Sequence, residues 1–146
     1  MSTPHPIRAV VTRRFRALSE RVFEAWLQRV QLGEWLLGSA GSGEEIVHVS
    51  LTPRVGGGFS FLISRDGEEI EFVGKYLEID RPRRLVFTWI VTTETVGSRV
   101  LVEITAGETG CELTLTHELH PSRAEEVGRT EVAWSRRLDA LAATLG

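Results

Sequence analysis

Two rhythms of apolar residues divide this chain. Between Glu45 and Leu119 they recur at every second position, and from Ser122 to Leu145 at every third or fourth. The first rhythm predicts six strands: Ile46–Leu51, Gly58–Ser64, Ile70–Ile79, Leu85–Thr92, Arg99–Thr105 and Cys111–Leu119. Turn sequences separate them, at Pro53 to Gly57, Asp66-Gly67, Asp80 to Pro82, Glu94 to Gly97 and Gly107 to Gly110. Links this short join sequence neighbours as antiparallel hairpins, because a parallel return needs about a dozen residues. Ahead of the meander, residues 1–6 read as a loose tail and Ile7 to Phe15 as one more strand. Ser19 is expected to cap a helix reaching about Val30, with Val22, Phe23, Trp26, Leu27 and Val30 at helical spacing. A second short helix over Gln31–Leu37 should stop at Gly38, with Gly38 to Gly43 as a flexible loop.

The closing segment is the longest element. Ser122 and Glu125 have the spacing of a capping box, and Pro121 discourages an earlier start. Val127, Trp134, Leu138, Leu141 and Leu145 share one arc at about 100° per residue, while Arg129, Arg136 and Ala143 point away. So continuous a stripe needs a broad partner, and the upstream strands supply a sheet. Strand, two helices, six-strand meander and long helix make an α+β domain, with the helix over one sheet face. Strand alternation assigns that face. Cys111, Leu113, Leu115, His117 and Leu119 point inward together, as do Val100, Val102 and Ile104. Leu85, Phe87, Trp89 and Val91 form one face of their strand, Phe59, Phe61 and Ile63 one face of theirs. Two ionisable residues lie on these inward surfaces, His117 on the sheet and Glu131 within the helical arc.

Composition narrows the class. The chain has 146 residues, 42% hydrophobic and 25% charged, which suits a single soluble domain with a real core. A net charge of −3 argues against nucleic acid as a partner. Cys111 is the single cysteine, so no intrachain disulfide forms and a reducing compartment is expected. Met1–Ile7 carries two prolines and no apolar run, so neither a signal peptide nor a membrane anchor is expected. The expectation is a cytoplasmic monomer or homodimer. His5, His48, His117 and His120 lack metal-ligand spacing. Gly56-Gly57-Gly58 runs into a strand, which is not the context of a phosphate loop, and there is no G-x-S-x-G elbow. No cofactor is implied.

Several stretches together carry a resemblance. Arg84-Leu85-Val86-Phe87-Thr88-Trp89 after Pro82, Gly56-Gly57 before Phe59, Leu113-Thr114-Leu115-Thr116-His117, and Ala25-Trp26 in the first helix are the residues concerned. Over about 9–145 the chain resembles the branch of the START-related SRPBCC superfamily named after an activator of a heat-shock chaperone ATPase. Trp134 stands where that branch usually has Gly-Trp, with Ala133 in place of the glycine. The resemblance implies a helix-grip fold like that of START domains and birch-pollen allergen: a curved antiparallel sheet wrapped around a long C-terminal helix, over one domain spanning 1–146. It also implies a hydrophobic or amphipathic small-molecule ligand, or a chaperone partner with a stress-response role.

The physics is compatible, since a twisted sheet cannot touch a straight helix along its whole length. The gap is either filled by large side chains or left as a pocket. Phe59, Phe61, Tyr76, Phe87, Trp89, Trp134 and Leu138 either line a ligand cavity or close the core, and Leu115 joins them from the last strand. Trp35 and the Gly38–Gly43 loop either gate a mouth or form an ordinary surface. His117 and Glu131, if they meet, form a buried polar pair that orients a ligand, shuttles a proton or simply satisfies itself. A hydrolase, cyclase or lyase using that pair is the third reading. A chaperone-binding surface would instead use the outer sheet face, where Val86, Ile90 and Leu101 are expected to be exposed.

Overall fold

A computed structural model describes residues 7–33, 35, 44–91 and 97–145. The chain runs β1 (Ile7–Phe15), α1 (Ser19–Glu24), α2 (Arg29–Leu32), β2 (Glu44–Leu51), β3 (Gly58–Arg65) and β4 (Glu68–Asp80). It continues as β5 (Arg84–Val91), β6 (Ser98–Ala106), β7 (Cys111–Leu119), a 3-10 stretch over Pro121–Glu126, and α3 (Val127–Leu145). All pairings among these strands are antiparallel, in the order β1-β7-β6-β5-β4-β3-β2. The sheet curves around the terminal helix, which is the expected helix-grip architecture. The predicted loop at Gly38–Gly43, the end of the second helix at Leu36-Leu37 and most of the Glu94–Gly97 turn lie outside the described residues.

The meander follows its alternation closely. Asp66 and Gly67 both take positive φ, 51° and 85°, which is the backbone of a tight two-residue hairpin turn between β3 and β4. Register shifts between Ile46 and His48 on the edge strand β2, and between Tyr76 and Glu78 on the interior strand β4, bend the sheet. Gly74 has a different role from bending. A Cβ there would lie 2.0 Å from the Thr88 carbonyl oxygen and 2.4 Å from Phe59 Cζ, so only glycine lets the Phe59 ring lie across β4.

The helices depart from expectation at their starts. Leu18, not Ser19, occupies the N-cap of α1, and no side chain caps it. The expected single helix to Val30 breaks after Glu24, turns through Ala25–Gln28 and resumes at Arg29. The break lets Trp26 and Leu27 both turn inward, and it leaves Val30 67% exposed. The capping box at Ser122 and Glu125 does not form either. His120 caps instead, its Nδ1 accepting from the Ser122 amide at 3.1 Å, and Pro121 opens the 3-10 stretch with its φ already set. Arg123 then departs from helical backbone, with φ −103° and ψ 25°, so the α-helix begins at Val127 and not at Ser122.

Two covers share the inner sheet face. α3 lies along β1, while the α1–α2 segment brings Trp26 and Leu32 onto the aromatic residues of β3, β4 and β5, with Trp35 packed behind Trp26. Both sides bury their apolar residues in one continuous core.

Candidate functional site

The inward alternation of β3, β4 and β5 puts Phe59, Phe61, Tyr76, Phe87 and Trp89 on one surface. Their rings meet directly. Phe59 stacks on Phe61 at 4.9 Å between centroids and touches Tyr76 at 5.7 Å, Phe87 at 5.6 Å and Trp89 at 6.1 Å. From α3, Trp134 packs on Trp89 at 5.4 Å. Trp26 completes the set between the two covers, 4.6 Å from Trp35, 6.1 Å from Phe87 and 6.1 Å from Trp134. Aromatic contacts at these separations add attraction beyond the area they bury.

The seam is closed. Among the described residues the space between these rings is about 10 Å³, close to what one water molecule occupies. Its walls are Trp26, Leu32, Phe59, Phe61, Tyr76, Leu85, Phe87 and Trp89. This space sits beneath the α1–α2 segment. Trp134, Leu138 and Leu115 are buried and are not among the walls of this space. Trp35 is buried as well, and its indole N–H donates to the Ala25 carbonyl oxygen at 2.9 Å, so it locks the α1–α2 turn instead of standing at a mouth. Trp26 and Leu85 are wall residues that sequence reasoning assigned only to packing, and Leu32 of the short second helix is a third. Nothing in a helical apolar stripe distinguishes a wall from a filler.

His117 and Glu131 do not meet. The Glu131 carboxylate is half-buried at the open edge of β1 and accepts from the Val10 amide at 3.0 Å. It ties α3 to the sheet through a strand-edge N–H that has no ladder partner. His117 is held elsewhere. Trp134 Nε1–H donates to His117 Nδ1 at 2.9 Å, which fixes the proton of the neutral ring on Nε2. Nε2–H then donates to Ser98 Oγ at 2.6 Å, and the Ser98 hydroxyl donates to the Trp89 carbonyl oxygen at 3.0 Å. Every member of this chain is satisfied, and it runs one way, from an indole that cannot accept to a carbonyl that cannot donate. In this arrangement His117 has no lone pair to offer a substrate. Its hydrogen bond holds the Trp134 indole that packs on Trp89.

Electrostatics agree. Burial lowers His117 to about 4, helped by the nearby charges of Arg123 and Arg137. The Arg137 guanidinium stands 4.7 Å from the Trp134 ring and 5.7 Å from that of Trp89, a cation–π arrangement on the outer side of the seam. Arg123 is bound to Glu126 at 3.0 and 3.1 Å, and that contact holds the Glu126 carboxyl below its ordinary range. Burial pushes the Tyr76 phenol well above its ordinary value. Among the described residues no group of three or more His, Cys, Asp or Glu is placed to hold a metal. Nor is any described helix long and apolar enough to cross a membrane.

The outer sheet face corrects one further expectation. Val86 is 4% exposed and Leu101 half-buried, so of the three named residues only Ile90 stands out to solvent. Ion pairs cover much of that surface: Arg99 to Glu118 at 2.6 Å, Arg8 to Glu118 at 3.6 Å, and Arg84 to Glu78 at 3.2 Å and Glu103 at 2.9 Å.

A curved antiparallel sheet gripping a long C-terminal helix, with an aromatic seam between them, defines a helix-grip domain of the SRPBCC type. The family model described as activator of Hsp90 ATPase homolog 1-like protein matches residues 16–146, and the chain belongs to that family. Solved structures share the fold at low identity. A protein from Rhodobacter sphaeroides is 18% identical with a TM-score of 0.84, covering 99% of this chain and 95% of its own. One from Nitrosomonas europaea is 15% identical with a TM-score of 0.81, covering 95% and 94%. An AHSA1-like protein from Aeromonas hydrophila is 16% identical with a TM-score of 0.78, covering 95% and 92%. Comparison with curated proteins gives no significant match.

Proposed function

We propose that this domain binds a hydrophobic or amphipathic small molecule between the aromatic face of β3–β5 and its helical cover. The observation that carries the reading is the nature of that cover. Trp26 and Leu32 close the aromatic wall from a segment whose helices are six and four residues long, and neither has a side-chain cap. Helices this short owe their stability to packing and not to their own hydrogen bonds, so a ligand that replaces that packing can open the segment. A ligand needs roughly 300–1,000 Å³, far more than the closed seam holds, so its room comes from displacing Trp26 and Leu32. If opening costs about 2 kcal/mol, apparent affinity falls about thirtyfold below that of a preformed pocket.

Titration with the neutral fluorescent probe N-phenyl-1-naphthylamine tests this reading. Saturable uptake with a blue-shifted emission is expected, stronger in Leu32→Ala, which trims the cover. Absence of uptake by both proteins, each shown to be folded by circular dichroism, would refute it.

A further inference from the structure

One corner of the domain collects positive charge around a hollow. β1 ends in Arg13-Arg14-Phe15, Arg16 follows in the link, and Arg21 stands on α1. Phe15 faces inward and is 6% exposed, so Arg14 and Arg16 on either side of it stand in solvent. Against this corner the last turn of α3 presents Ala142 and Leu145, and the β1–α1 link presents Ala17. Two alanines at the joint leave a notch of about 220 Å³ that longer side chains would have filled. Its floor is apolar, from Phe15, Ala17, Ala142 and Leu145, and Arg14, Arg16 and Arg21 form its rim. Among the described residues that line it there is no carboxylate. Arg14 is shared with Glu112 at 3.3 Å, but Arg16 and Arg21 pair with no acid among the described residues. None of these side chains is a wall of the seam.

We propose that this notch is a second binding site, separate from the seam, for a small organic anion: a carboxylate or phosphate head on a short apolar body. The head follows from the rim. A cleft lined by one sign of charge concentrates ligands of the other, and guanidinium groups hold carboxylate and phosphate through paired N–H donors. The chain as a whole carries −3, so this attraction is local to the corner. The body follows from the floor, whose four residues have no polar side-chain atom and lose water when covered. Its size follows from the hollow, which is smaller than the roughly 300 Å³ at which drug-sized pockets begin and so admits one ring or a short acyl chain. A membrane surface suits the corner less. Leu18 is exposed there, but a single leucine offers little apolar area to bury in lipid.

Titrations with octanoate, octyl phosphate, octan-1-ol and acetate, followed by ¹H–¹⁵N spectra of backbone amides, arginine Nε–H groups and indoles, test it. The better of the two octyl anions identifies the head, and it is expected to bind about tenfold tighter than octanol, which lacks the charge, or acetate, which lacks the body. Signals of Arg16, Arg21 and Ala142 should move, while the Trp26 and Trp89 indoles stay in place. Arg16→Gln combined with Arg21→Gln should weaken the anion about tenfold, and Ala142→Leu should weaken it as much with every charge kept. Circular dichroism shows whether these variants are folded, and none of them should alter the uptake of N-phenyl-1-naphthylamine, so this site and the seam stand or fall separately. Acetate binding as tightly as the octyl anions would reduce the corner to surface charge and overturn the proposal. So would affinity that survives either set of substitutions, shifts confined to the seam indoles, or attachment to phosphatidylglycerol vesicles with no response to the soluble anions.

Discussion

Protonating His117 should unlatch the seam. In the folded protein its Nδ1 accepts from Trp134, and a proton there would set two donors against each other across 2.9 Å. Burial first, then the charges of Arg123 and Arg137, hold the ring neutral down to about 4, against 6.5 for a free histidine. The sign follows. Between those values the unfolded chain binds a proton that the folded chain refuses, so stability rises with pH. The contribution is complete above about 6.5, declines as pH falls, and is exhausted below about 4, where both states are protonated. At about 1.4 kcal/mol per pKa unit the gap amounts to about 3 kcal/mol, with about 2 kcal/mol already lost at pH 5. That is a large share of the roughly 5–15 kcal/mol that holds a domain together. Urea unfolding from pH 7 to 4.5 measures it, with His117→Asn as reference, whose Oδ1 can accept from Trp134 without titrating. Carboxylates such as Glu126 affect both proteins alike, so the difference between the two curves isolates His117. Curves that stay parallel from pH 7 to 4.5 would show that the ring gains its proton at little cost, and the one-way chain through Ser98 would be wrong.

Three further substitutions test separate contacts. Gly74→Ala should destabilise by about 3 kcal/mol or more in urea unfolding, because its Cβ meets the Thr88 carbonyl and the Phe59 ring at once; a loss under 1 kcal/mol would show that the ring moves aside freely. Glu131→Ala should lower stability by about 1 kcal/mol and speed hydrogen exchange at the Val10 amide, while leaving probe uptake unchanged; reduced uptake would return Glu131 to the binding site. Arg137→Ala should remove a cation–π contact of about 1 kcal/mol and raise the His117 pKa toward its free value, which makes the acid-induced stability loss smaller; an unchanged NMR titration of His117 would rule out its electrostatic part.

The architecture was legible because it rests on periodicity, and the site was not because it rests on single atoms. Alternation in β7 placed Cys111, Leu113, Leu115, His117 and Leu119 inside, and all five are buried. The same rule failed for Val86, since an outward residue on a curved sheet can be buried beneath neighbouring Arg and Glu side chains. Pattern placed both His117 and Glu131 on inward surfaces, but facing is not touching. Glu131 lies one helical turn from Trp134, and there the edge of β1 offers the Val10 amide, which it accepts from. Capping went wrong in the same manner: Ser122 and Glu125 have the right spacing, yet Pro121 sets the first turn and gives the cap to His120. Trp26 is the sharpest case. In sequence it is one more apolar member of a helical stripe, equivalent to Val22 or Leu27. Only the break after Glu24 turns it into the seam, and only the contacts around it reveal an N–H with nothing to bond.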